Sequence, residues 1–115
     1  MIDKWLEFFC HSWKHRDIDA IMELFSDDIE YWESPYEQLL SLESVKEIWQ
    51  AIHKQENIKI QTRVVMSQER KYLVEWSLEY TQDLSHNIWG GLYIIELDET
   101  GRCTYFYQVG EKKVV

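Results

Sequence analysis

The chain has 115 residues, 45% apolar and 15% aromatic, with six Trp, seven Tyr and a formal net charge of −9 at pH 7. That length suits a single domain over residues 1–115, burying roughly two thirds of its unfolded surface without disulfide or metal staples. The acidic balance disfavours a nucleic-acid backbone, which needs a basic patch, and an anionic membrane surface. One Pro and four Gly leave little room for a disordered linker. Cys10 and Cys103 form no C-x-x-C pair and read as reduced, partly buried thiols. No segment reads as a signal peptide and no apolar run approaches the ~20 residues of a membrane span, so a cytoplasmic protein is expected.

Residues 2–15 carry Ile2, Trp5, Leu6, Phe9 and Trp13 at helical spacing, with Asp3 in the first turn. Asp17 is placed to cap a second helix with Ile18, Ile21, Met22, Leu24 and Phe25 on its apolar face, stopped by Ser26-Asp27-Asp28. Ile29–Glu33 alternates and reads as a short strand. Ser34-Pro35 turns the chain, because a residue before Pro avoids the helical region, and 35–41 reads as an irregular loop. Ser41 is placed to cap a third helix bearing Leu42, Val45, Ile48, Trp49 and Ile52 on one face.

From Ile58 the period changes to two. Ile58, Ile60, Thr62, Val64 and Met66 share one face of a strand. After the polar turn 68–71, Tyr72, Val74, Trp76, Leu78 and Tyr80 form a second alternating face. A loop at 83–87 leads to a strand over 88–97, in which Gly90-Gly91 suggests a bulge or tight bend. Asp98–Gly101 is a hairpin turn. The last strand, 102–109, places Cys103, Tyr105, Tyr107 and Val109 on one side, and 110–113 reads as a frayed tail. The order of elements predicts an α+β fold, with three N-terminal helices packed on a strongly curved, mainly antiparallel sheet.

The dry side of that sheet is built from large rings with polar tips. Each buried Tyr O–H and Trp N–H wants a partner, so the rings either wall a pocket or fill it. The candidate ligand-binding residues are Trp13, Tyr31, Trp49, Trp76, Tyr80, Trp89, Tyr105 and Tyr107. Asp28 and Glu33 flank the first strand, and a desolvated carboxylate at a pocket mouth can serve as a general base. Glu7, His11 and His15 share a helix face at i, i+4, i+8, which is ligand spacing for a metal. That face lies opposite the apolar stripe and reads as solvated, so no metal and no cofactor are expected. There is no phosphate-binding glycine loop and no nucleophile elbow.

Several segments, in order, resemble a known family. Arg16–Tyr31, reading RDIDAIMELFSDDIEY, resembles the opening of SnoaL-like proteins of the NTF2-like superfamily. Leu42–Trp49 resembles their third helix, with Leu40-Ser41 in place of the usual Gly. Val74-Glu75-Trp76 resembles their central strand and Gly91–Cys103 their final hairpin. The resemblance implies a cone-shaped α+β barrel with a pocket at its open end, dimerising through the outer sheet face. Active relatives carry roughly W-R-x-Y-x-D on the last strand. Here Tyr107 stands for the Arg, Val109 for the Tyr and Glu111 for the acid.

Two functions follow. One is a small-molecule pocket protein for an apolar or aromatic ligand, with or without isomerase, cyclase or hydrolase activity. The other is a non-catalytic homodimeric interaction domain with the pocket filled. A deep pocket holding Glu33 or Asp28 beside Tyr or Trp favours the first, and a closed core favours the second.

Overall fold

A computed structural model describes residues 1–114; Val115, the end of the expected domain, lies outside the described residues. Helix α1 (Ile2–Lys14) and helix α2 (Ile18–Glu23) come first, the latter capped by Asp17, whose carboxylate accepts from the Ala20 amide at 3.1 Å. Strand β1 (Phe25–Ser34) and the three-residue β2 (Glu37–Leu39) make an antiparallel pair. Ser41 caps helix α3 (Leu42–Trp49) by accepting from the Ser44 amide, and a 3-10 turn over Gln50–Lys54 follows. Then come β3 (Glu56–Gln68), β4 (Lys71–Gln82), β5 (Ser85–Leu97) and β6 (Cys103–Lys112).

The four long strands form an antiparallel meander, and β1 adds to it in parallel alongside β6. The sheet order is β2-β1-β6-β5-β4-β3. This corrects the expected cone-shaped, strongly curved sheet, because the structure shows a mixed, open, six-stranded sheet that is neither closed nor strongly curved. The physical reason is at the edges. Closure needs β2 to pair with β3, and a three-residue strand offers few groups to a thirteen-residue one. The alternation of 29–33 gave only half of β1. Phe25, expected on the second helix, already belongs to the strand, and 37–39, expected as loop, pairs with it.

The helices cover one face. Phe9 sits at the centre of the core, fully buried, with Trp13 edge-on at 5.6 Å, Trp49 at 5.5 Å and Tyr93 at 5.9 Å. Burying a ring of this size contributes about 2–3 kcal/mol.

Two bulges set which side chains face that core. Glu96 pairs with Tyr105 but Leu97 pairs with Cys103, so Thr104 is an extra residue in β6. Val64 pairs with Val74 but Met66 pairs with Leu73, so Val65 is extra in β3. Because side chains alternate, each insertion inverts the facing beyond it. Phe106 is therefore buried, Tyr105 and Tyr107 lie on the helix-free face, and Met66 is exposed. The expected bulge at Gly90-Gly91 is absent, since pairing runs unbroken through both residues. The expected frayed tail is also strand, with Glu111 opposite Gly90 and Lys112 opposite Trp89.

Candidate functional site

A cavity of about 490 Å³ opens between the inner sheet face and the end of α1. Its walls include Trp13, Trp76, Tyr80 and Trp89, with Glu33 and Gln108 on its polar side. A second cavity of about 270 Å³ lies toward α3, walled by Tyr31, Ile48, Trp49 and Ile52. Trp13, Glu33, Gln55 and Gln108 line both and form the waist between them. Two hydrogen bonds hold that waist. Gln108 Nε2 donates to Glu33 Oε1 at 2.6 Å, and Trp13 Nε1 donates to Gln55 Oε1 at 2.9 Å. A larger concavity of about 890 Å³ lies on the helix-free face, but its polar walls, such as Gln61, Arg63 and Glu75, are exposed and solvated. The buried polar and titratable side chains line the inner cavities instead.

Local folding explains each position. Tyr31 and Glu33 are two residues apart on β1 and so share its inner face. Trp76 reaches inward from β4, and its ring lies over the facing pair Gly91 and Gly110. A Cβ on Gly110 would stand 2.7 Å from the Trp76 ring, and one on Gly91 would stand 1.9 Å from the Val109 carbonyl oxygen. Only glycine leaves the indole its slot. The ring then stacks on Tyr93 with centroids 5.3 Å apart.

Burial raises the Glu33 carboxyl from 4.5 to about 7. The Gln108 hydrogen bond and the nearby Tyr31 hydroxyl oppose this, while the charge of Glu37 adds to it. Both protonation states of Glu33 are therefore populated near neutral pH, which is the condition for taking up and giving back a proton. The Tyr31 hydroxyl accepts from Trp49 Nε1 at 3.1 Å, and burial pushes its own pKa well up, so it stays a neutral phenol. Burial also raises both thiols, at Cys10 and Cys103, which makes them poor nucleophiles.

The structure thus brings Trp13, Glu33, Trp76, Tyr80 and Trp89 around one cavity, and Tyr31 and Trp49 around the adjoining one. Asp28 is exposed on β1 outside both, in the stretch between Phe25 and Glu30 where the β1–β6 register breaks. Tyr105 and Tyr107 lie on the opposite face, stacked on each other with centroids 6.5 Å apart. Gln55, Gln108, Gly91 and Gly110 complete the site. The parity of Gln108 was readable only with the Thr104 bulge in hand, and nothing in the sequence marked Gln55. His11 and His15 stack on the exposed face of α1, and no group of three or more His, Cys, Asp or Glu among the described residues could hold a metal. No helix among them is long and apolar enough to cross a membrane.

Solved structures share this fold. An NTF2-like protein from Exiguobacterium sp. 255-15 is 18% identical, with a TM-score of 0.74 over 96% of this chain and 97% of its own. The epoxide hydrolase/cyclase-like enzyme SalBIII, of pyran ring formation in the polyether salinomycin, is 13% identical, with a TM-score of 0.80 over 95% and 89%. An LEH-like epoxide hydrolase of Mycobacterium tuberculosis is 13% identical, with a TM-score of 0.72 over 94% and 80%. At such identities the likeness is one of fold. No curated protein matches the sequence. The model of the SnoaL-like domain matches residues 6–114, which include every wall of both cavities. On that match the chain belongs to the SnoaL-like family, within the NTF2-like superfamily.

Proposed function

We propose that this protein binds a small apolar or aromatic molecule in the larger cavity and exchanges a proton with it through Glu33. One observation carries the reading. A carboxyl with a pKa of about 7 has one oxygen fixed by Gln108, and its other oxygen has no partner among the described residues, in a cavity walled by three indoles. A carboxyl placed only for structure is better satisfied than this. General acid–base chemistry at a carbon or oxygen centre fits such a group, and isomerisation, cyclisation and hydrolysis all draw on it. Two similar structures being epoxide-hydrolase-like enzymes supports small-molecule chemistry in this fold. The W-R-x-Y-x-D pattern is not the source of activity in this reading, because Tyr107 faces away from the cavity.

Native mass spectrometry of freshly purified protein tests the first half of the proposal by looking for a co-purifying small molecule. Glu33→Gln tests the second. It leaves binding of that molecule within about threefold but abolishes turnover and its pH dependence near 7. Full turnover in Glu33→Gln would remove Glu33 from the chemistry. The apolar residues on the helix-free face support a further element of the reading, a homodimer formed through that face.

A further inference from the structure

Three buried polar atoms at the larger cavity have no hydrogen-bond partner among the described residues: Trp76 Nε1, Trp89 Nε1 and Glu33 Oε2. Two of them are donors of one kind on neighbouring strands. Trp76 pairs with Gly91, and Trp89 pairs with Leu78, so the two tryptophans are diagonal neighbours on the inner face of β4 and β5. Residues so placed lie ~7–8 Å apart, within reach of long side chains. The Trp76 ring is not free to find another partner. It is stacked on Tyr93 and seated over Gly91 and Gly110, and the whole residue is only 6% exposed. By contrast, the indoles of Trp5, Trp13 and Trp49 all donate to protein acceptors. Native proteins rarely leave buried donors unpaired, and a neighbouring pair at one cavity is what a bound acceptor would satisfy.

The charge of that acceptor also follows from the walls. The larger cavity has no Lys or Arg among its described lining residues, whereas Glu33 contributes a carboxyl. An anionic ligand meets no countercharge there and is repelled by ionised Glu33. A cationic ammonium has no lone pair to offer the indoles. A carbonyl oxygen has two lone pairs and no charge. We propose that the cavity selects an uncharged ligand through a carbonyl oxygen that accepts from the indole N–H groups of Trp76 and Trp89. This rests on the reading of the cavity as a ligand site.

The test uses three bicyclic probes of similar size: 1-tetralone, tetralin, which lacks the carbonyl, and 1-naphthoate, which is anionic. Binding to the full chain is followed at pH 8 through the indole N–H signals in proton–nitrogen correlation spectra, assigned with Trp76→Phe and Trp89→Phe. The expected result is that 1-tetralone moves the Trp76 and Trp89 signals and binds about 10-fold more tightly than tetralin or 1-naphthoate. Each Trp→Phe variant weakens 1-tetralone about 3- to 10-fold more than it weakens tetralin. Equal binding of tetralin or 1-naphthoate in the cavity overturns this inference and leaves the ligand pocket standing. If none of the three probes moves a cavity indole signal, both the inference and the pocket reading fall. Where a variant does not fold, the two signals are assigned from through-space contacts, of Trp76 to Tyr93 and of Trp89 to Leu78, and the wild-type spectra still decide.

Discussion

Glu33 owes its properties to where β1 ends. The strand carries Tyr31 into the core at 1% exposure, and two residues later the same parity drags a carboxyl into the waist between the cavities. Its raised pKa has a consequence for stability. A carboxyl raised from 4.5 to about 7 favours folding fully below pH 4.5, and that contribution is lost as pH rises through 7. The full shift corresponds to ~3 kcal/mol, and solvent reaching the half-buried group reduces this to on the order of 2 kcal/mol. Urea denaturation of wild type and Glu33→Gln at pH 5 and pH 8 checks it. The wild type is expected to lose about 2 kcal/mol relative to the variant between these two values. Parallel stability at both would mean that Glu33 is solvated. Tyr31 tunes the same group, because its nearby hydroxyl lowers the Glu33 pKa. Tyr31→Phe is therefore expected to move the Glu33 midpoint above 7, read from its carboxyl carbon resonance. It also strands the buried Trp49 N–H, at a cost of about 1–3 kcal/mol.

Among the elements, β6 decides most about the site. Its sequence alternates Cys103, Tyr105, Tyr107, Val109, and simple parity puts all four on one side. The extra residue Thr104 breaks that parity, so Phe106, Gln108 and Gly110 face the helices instead. An inserted residue leaves no hydrophobic signature when both registers present aromatic side chains, and here Tyr-Phe-Tyr reads plausibly either way. The inner face of β4 was legible for the opposite reason, because Val74, Trp76 and Leu78 alternate with Glu75, Ser77 and Glu79. Caps at Asp17 and Ser41 were legible because a short polar side chain before an apolar helical stripe has few other uses. The glycine rung was misread, because its role concerns a ring on the next strand. That role is testable in β6. Gly110→Ala pushes its methyl against the far edge of the Trp76 ring, 2.7 Å away, and the ring must tilt into the cavity. The expected outcome is at least ~10-fold weaker ligand binding with about 1–2 kcal/mol lost stability. Gly91→Ala meets backbone 1.9 Å away and is expected to cost about 3 kcal/mol or more. Thermal denaturation and probe titration of both variants separate the two effects. A Gly110→Ala protein with wild-type affinity would show that the indole is not fixed by its slot.

At the scale of the whole molecule, the same bulges that shape the cavity populate the other face of the sheet. Trp32 pairs with Tyr107, Tyr107 with Ile94, Ile94 with Leu73 and Leu73 with Met66, so one apolar row crosses five strands. At ~4.8 Å per strand the row is about 19 Å long. The helices lie on the opposite face, so no helix among the described residues covers it. A net charge of −9 opposes self-association in general. Beside the row, however, charges come in opposite pairs, Lys71 with Glu96 at 3.8 Å and Arg63 with Glu75 at 3.4 Å, so these flanking charges balance within each copy. The expected outcome is a homodimer of the 14.0 kDa chain in sedimentation velocity. Loading at ~10 μM suits the test, since it lies above the micromolar Kd of a modest interface. Ile94→Glu sits at the middle of the row and is expected to give monomer. Its side chain faces away from the cavity, so binding of a pocket probe should not change. A wild type that stays monomeric, or a dimer that survives Ile94→Glu, would place any association elsewhere. If binding fell together with dimerisation, the two faces of the sheet would be coupled. The linkage would run through β5, where Ile94 on the outer face follows directly on Tyr93, the residue on which Trp76 is stacked.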